Sequence, residues 1–138
     1  MSNLLGLEAD LRFERGWKSS IQLCWNRQNA SVRIFIECDN DRNTITKKQF
    51  EALELLVSNQ NQILQSCELE MSTRLSSLGK SEFFDSTVLV GVFFSEDRYP
   101  EVAEFSFLFN SDAEPELGLA IQLFNGKIVH FGTQDDVL

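Results

Sequence analysis

Asp39, Asp41 and Asn43 stand at alternate positions in "CDNDRNTITKKQFEALELLV", which runs from Cys38 to Val57. Such a D-x-D-x-N run begins a calcium loop only if glycine follows at the sixth position and a bidentate glutamate at the twelfth. Counted from Asp39, those positions hold Thr44 and Phe50. The loop lacks its turn residue and its strongest ligand, so the acidic residues read as turn formers and no calcium site is expected. Other carboxylates pair at Glu96/Asp97, Asp112/Glu114/Glu116 and Asp135/Asp136. Hydrolases use such pairs when burial keeps one acid protonated. Here each pair falls in an expected turn or near the C-terminus, where water keeps both ionised. His130 is the only histidine, and no Ser or Cys stands at a fixed local spacing from it, so a structural or surface role is expected. Cys24, Cys38 and Cys67 form no C-x-x-C and supply no zinc set or disulfide framework, which fits a reducing compartment. The glycines are dispersed and make neither a phosphate-binding loop nor a G-x-S-x-G elbow. No catalytic residue, metal or cofactor is expected, and a small hydrolase-like enzyme using a carboxylate pair or His130 stands as an alternative.

The chain has 138 residues, and at 43% hydrophobic it can bury one core without staples, as a single domain over 1–138. Its net charge is −9 and its isoelectric point is about 4.5. Nucleic acid and anionic membrane demand clustered Lys and Arg, so both are poor partners, and a basic protein is a better one. "MSNLLGLEADLRFERGW" has no basic start and carries Glu8 and Asp10, unlike a secretory signal, and no apolar run reaches spanning length. A cytoplasmic location is expected.

The elements that must position any site follow from periodicity. Residues 1–16 are ambiguous between a short helix and loose packing. Ile21, Leu23 and Trp25, then Val32, Ile34, Ile36 and Cys38, recur with period two on either side of the polar turn "NRQNAS", which predicts an antiparallel hairpin. Thr46 and Gln49 have the spacing of a capping box, with Ile45 and Phe50 at the positions of a hydrophobic staple. Phe50, Leu53, Val57, Leu64, Cys67, Met71, Leu75 and Leu78 then mark the stripe of one long helix ending at Gly79. The stripe fails at "SNQNQ" (58–62), where a kink or break is expected. Residues 80–86 read as a polar loop, "STVLVGVFF" (86–94) as a central strand and "EDRYP" (96–100) as a turn. "VAEFSFLF" (102–109) puts Phe105, Phe107 and Phe109 on one face, and "NSDAEPE" (110–116) is a loop.

Asn125-Gly126 between two alternating runs is the preferred type I′ hairpin turn. It predicts Leu123 opposite Ile128 and Ile121 opposite His130. Leu119, Ile121, Leu123 and Ile128 share one face. Ala120, Gln122, Phe124, Lys127, Val129 and Phe131 share the other, to be covered by the N-terminal segment or exposed as a contact surface. The whole is an α+β fold: a mostly antiparallel sheet of about six strands with one long helix packed on one face.

The stretch "DAEPELGLAIQLFNGKIVHFGTQDDVL" (112–138) resembles the C-terminal hairpin of a family of small bacterial domains of unassigned function. That family carries D-x-E-H-G-L-x-hydrophobic, an N-G or D-G turn, and a strand ending near V-G-x-Q-D. Glu114 stands at the Asp position, Glu116 at the Glu, Gly118 at the Gly and Leu119 at the Leu, while Leu117 replaces the usual His. "FGTQD" (131–135) resembles the end, and Thr46, Gln49, Phe50 and Ala52 resemble the family's helix start. In such a motif Gly118 is expected to allow tight backbone passage and Glu116 to accept hydrogen bonds that fix the loop.

Members of this kind resemble immunity proteins, which neutralise toxins delivered between neighbouring bacteria. The resemblance implies a non-enzymatic inhibitor, a monomer or weak homodimer, that binds a cognate and basic toxin domain, often a nuclease. Its contacts are expected from Tyr99, Glu96, Asp97, Asp112 and Glu114, in two loops that each follow a strand and could converge at one end of the sheet. The helix face around Glu54, Glu68 and Glu70 is the next place to look. A structural or adaptor subunit burying Phe124, Val129 and Phe131 is a further alternative.

Overall fold

A computed structural model describes residues 16–38, 44–96 and 98–138. The acidic stretch weighed for calcium, Asp39 to Asn43, lies outside the described residues, and so does Asp97. The fold is α+β. Strands β1 (Gly16–Trp25) and β2 (Gln28–Glu37) lead into helix α1 (Lys47–Ser77), and β3 (Val88–Phe94), β4 (Glu104–Asn110), β5 (Leu119–Phe124) and β6 (Lys127–Gly132) follow. The six strands lie in one sheet in chain order. All neighbours are antiparallel except β2 and β3, which run parallel with Arg33 opposite Gly91 and Ile36 opposite Phe94. A parallel pair needs a crossover, and α1 supplies it, contacting the sheet. Among the described residues no helix is long and apolar enough to cross a membrane.

The helix begins as its capping box requires. Gln49 N–H donates to Thr46 Oγ1 at 3.1 Å, and Thr46 N–H donates to Gln49 Oε1 at 3.0 Å. Gln49 is buried and also donates from Nε2 to the carbonyls of Glu37 (2.6 Å) and Phe94 (3.2 Å). One side chain therefore ties the first helical turn to the ends of both parallel strands. The helix kinks within the expected stretch: Asn59 has φ −127° and ψ 25°, and its Nδ2 donates to the Leu55 carbonyl at 3.2 Å. A side chain that enters the i to i−4 ladder is a recognised cause of a kink. At the far end Gly79 (φ +71°) completes a Schellman motif, with Lys80 N–H on Leu75 O at 2.7 Å and Gly79 N–H on Ser76 O at 3.0 Å.

The core lies between α1 and one face of the sheet. Leu53, Leu64, Cys67, Met71 and Leu75 are buried as the stripe predicts, joined by Ala52, Leu56 and Ile63. Leu78 is 61% exposed instead, because the chain leaves the sheet at the cap. The 80–86 segment is less polar in practice than its composition suggests. Phe83 and Phe84 pack against the core, and Trp25 stands 6.0 Å from the Phe84 ring and 4.6 Å from Phe109. The first hairpin turn is tighter than "NRQNAS" implies. Only Asn26 (φ 50°) and Arg27 (φ 68°) separate the strands, and the residues from Gln28 onward already pair.

The last hairpin differs in one respect with consequences. Its turn is as expected, with positive φ at Asn125 (53°) and Gly126 (83°) and Leu123 opposite Ile128. A bulge then inserts one residue into β6, so Gln122 faces His130 and Ile121 faces Phe131, not His130. One extra residue reverses the facing of all that follows. Phe131 thereby joins the helix side, where it packs against the core with the Arg74 guanidinium 5.7 Å from its ring centroid. The apolar surface of Phe124, Val129 and Phe131 expected from strict alternation is thus divided between two faces. Phe124 instead meets Tyr99, with ring centroids 5.1 Å apart.

Candidate partner-binding surface

The link between β3 and β4 holds its shape through contacts at several heights. Pro100 occupies the second position of a turn closed by Val102 N–H on Tyr99 O at 2.9 Å, where its fixed φ suits the backbone. At the start of the link Glu96 N–H donates to Glu37 Oε1 at 3.0 Å. Beneath it, Arg98 Nη2 donates to Glu104 Oε2 at 2.7 Å and to the Val137 carbonyl at 3.3 Å. Gln122 Nε2 reaches the same Glu104 oxygen at 2.8 Å. Glu104 is 6% exposed, and a charge so placed requires partners of this kind. At the end of the link Asn125 closes a reciprocal pair with Ala103, its N–H donating to Ala103 O at 2.9 Å and its Oδ1 accepting from Ala103 N–H at 3.0 Å.

This frame carries Tyr99, 47% exposed, with one side of its ring against Phe124. Glu101 is exposed beside it and Glu96 is half-buried. The result is an aromatic side chain on a braced link with carboxylates around it. Beneath the link, Ser95 Oγ, Glu104 Oε1 and Ser106 Oγ are buried without a hydrogen-bond partner among the described residues.

The second acidic loop is not part of this surface. β4 runs antiparallel to its neighbours, so the loop before it and the loop after it lie at opposite ends of the sheet. Seven strand residues set them roughly 23 Å apart. Asp112 is exposed and Glu114 half-buried at that far end, so the expected convergence does not occur. Glu116 does not fix its loop either: it is exposed and accepts no hydrogen bond among the described residues. Gly118 N–H on Glu114 O (2.9 Å), Ala113 N–H on Ser111 Oγ (3.1 Å), Thr87 Oγ1 with Ser111 Oγ (2.7 Å) and Lys80 Nζ on Ala113 O (3.1 Å) hold it instead. Gly118 does allow a tight passage. Its φ is +68°, and a Cβ there would stand 2.7 Å from Phe109 O and closer still to Gln134 Nε2. Gln134 in turn donates to Phe109 O at 2.8 Å.

On the helix, Glu68 accepts from Asn26 N–H at 3.0 Å and Glu70 pairs with Arg74 at 2.7 Å, leaving Glu54 the exposed carboxylate of the three. His130 Nε2 stands 3.1 Å from Asp136 Oδ2, which also accepts from Thr133 N–H at 3.0 Å. The hydrogen bond with His130, and then that from Thr133, hold the Asp136 carboxyl below its ordinary value. Both side chains are 45% exposed, so water competes for the pair. Burial, reinforced by nearby glutamates, pushes the Cys38 and Cys67 thiols up to about 12, which leaves both inert at neutral pH. Among the described residues no cluster of three or more His, Cys, Asp or Glu could hold a metal ion.

The Arg98–Glu104–Gln122 network was not read from sequence. Its one signal is Glu104, a carboxylate inside the otherwise apolar run "VAEFSFLF". The His130–Asp136 pair had no signal at all, because the bulge in β6 and the turn at Gln134–Asp136 bring it together. No protein-family model matches the chain, and no curated protein or solved structure matches it either.

Proposed function

We propose that this chain is a cytoplasmic immunity protein that neutralises a basic, nuclease-type toxin domain by direct binding and without turnover. The observation that carries the reading is the braced β3–β4 link, which presents Tyr99 half-exposed among Glu96 and Glu101 on a chain of net charge −9. Aromatic side chains supply much of the energy of protein interfaces, and preset ones lose little entropy on binding. Surrounding carboxylates accelerate encounter with a basic cleft and reject acidic partners. The resemblance of residues 112–138 to domains that look like immunity proteins points the same way. Tyr99 is the contact anchor in this reading, Glu96 and Asp97 steer, and Asp112 and Glu114 lie outside the contact.

The test is a screen in which basic, nuclease-type toxin domains are each co-expressed with this chain. Growth should be rescued and a monomer of the chain should co-purify with the toxin. Tyr99→Ala should weaken the complex by about 2 kcal/mol or more. Failure of rescue together with absence of a complex overturns the reading.

A further inference from the structure

The face of the sheet away from the helix is unevenly covered. Over β4 to β6 the C-terminal segment and Arg98 lie against it: Val137 is buried, its carbonyl binds Arg98, and Ala120 and Ser106 beneath are buried too. Over β1 to β4 the described residues leave a trough of about 1140 Å³ whose lining includes Lys18, Arg33, Phe35, Val88, Val90 and Leu108. Its two ends differ. On β1 and β2, Lys18 faces Phe35 and Ser20 faces Arg33, which makes Lys18 and Arg33 diagonal neighbours roughly 7–8 Å apart at the backbone. On β3 and β4 the lining is mainly apolar. There β3 bulges between Leu89 and Gly91, Val88 is 50% exposed, and Gly91 sets no side chain between Arg33 and Leu108. Phe35 joins the two ends, its ring stacked on Phe93 at 5.7 Å with the Lys18 ammonium 5.9 Å from its centroid. Among the described lining residues only Lys18 and Arg33 are charged, and no carboxylate stands with them.

We propose that this trough binds a fatty acid, with the carboxylate between Lys18 and Arg33 and the acyl chain lying across β3 and β4. Both cations donate charge-assisted hydrogen bonds to a carboxylate, and Ser20 opposite Arg33 adds a hydroxyl beside them. The acyl chain leaves water against Phe35, Val88, Val90 and Leu108, which is where its binding energy comes from. Four adjacent strands span about 15 Å, enough for a medium-length chain to lie extended. Charge selects this occupant over larger ones. A chain of net charge −9 repels an acidic protein or an anionic bilayer at long range, whereas a single carboxylate loses little to that field and gains the two local cations. A second copy fits less well, because face-to-face pairing opposes Lys18 and Arg33 to their own equivalents. Tyr99 is not among the lining residues, so the proposal stands independently of toxin binding.

The test titrates the full chain with laurate below its micelle concentration, using calorimetry for affinity and methyl-resolved NMR for position. Saturable one-to-one binding is expected, with shifts centred on the methyls of Val88, Val90 and Leu108. Dodecyltrimethylammonium, of matching chain length and opposite charge, should bind the same protein about tenfold more weakly or less. Lys18→Gln/Arg33→Gln should weaken laurate by a similar factor, and Val88→Asp, at a half-exposed position, should abolish its binding. Absence of saturable laurate binding overturns the proposal. Equal binding of the two amphiphiles overturns it too, since the trough is then an apolar surface without charge selection. Shifts at these methyls that appear only with anionic phospholipid vesicles, or only on raising the protein concentration without ligand, assign the trough to a membrane or to a dimer and overturn it as well.

Discussion

At the scale of single residues, Gln49 and Asp136 show how much one side chain can hold. Thr46→Ala removes one cap and should cost about 0.5–2 kcal/mol. Gln49→Ala also leaves the Glu37 and Phe94 carbonyls without its amide. It should cost more than Thr46→Ala, about 2–4 kcal/mol, since buried polar groups lose their partners. Urea denaturation of both variants checks the order, and equal costs would show that the two strand contacts contribute nothing. Asp136 makes a pH prediction. Its folded pKa lies below the ordinary 3.8, so its contribution to stability is present above that value and disappears as pH falls through the folded pKa. His130→Ala removes the largest cause, and the Asp136 carboxyl should then titrate closer to 3.8 when followed by carbon NMR. An unmoved titration would assign the shift to Thr133 instead.

At the scale of elements, the β5–β6 hairpin is held by its turn and by the helix together. Gly126 has φ +83°, and a Cβ there would stand 3.1 Å from a Leu55 methyl. Gly126→Val combines backbone strain with overpacking and should cost at least about 2 kcal/mol. Gly126→Asn tolerates the positive φ better, so its smaller loss should report the Leu55 contact more directly. Thermal melts of both distinguish the terms, and a Val variant with an unchanged midpoint would contradict this account of the turn. The kink at Asn59 is local in the same way, because the Leu55 carbonyl accepts from the Asn59 amide.

At the scale of the whole molecule, antiparallel order separates the two acidic loops and makes their roles distinguishable. Reversing Glu96 and Asp97 to Lys should slow association with a basic toxin about tenfold at low salt, and the loss should shrink at high salt. Reversing Asp112 and Glu114, roughly 23 Å away, should change the rate far less. Stopped-flow association at two ionic strengths makes the comparison. Equal effects from both pairs would remove the β3–β4 link as a distinct contact surface. Asp112 is exposed, and an exposed charge matters little to folding, so Asp112→Lys should keep its melting temperature.

The sequence by itself determined the local structure wherever a short-range rule was complete. Thr46 with Gln49 starts the helix, Gly79 ends it, polar "SNQNQ" interrupts it, and Asn125-Gly126 turns the last hairpin. Each depends on neighbours within a few residues, and alternation then sufficed for the strands and the α+β class. Tertiary structure alone decided the rest, because it depends on contacts between distant segments. The bulge in β6 moved Phe131 to the helix side, against a strict period of two. The parallel pairing of β2 with β3 brought the carbonyls of Glu37 and Phe94 to one buried glutamine. The candidate surface was legible in its exposed tyrosine and carboxylates but not in its extent. Strand direction put Asp112 and Glu114 at the far end, while Arg98, Glu104 and Gln122 became one network only when the turn and the pairing of β4 with β5 brought them together.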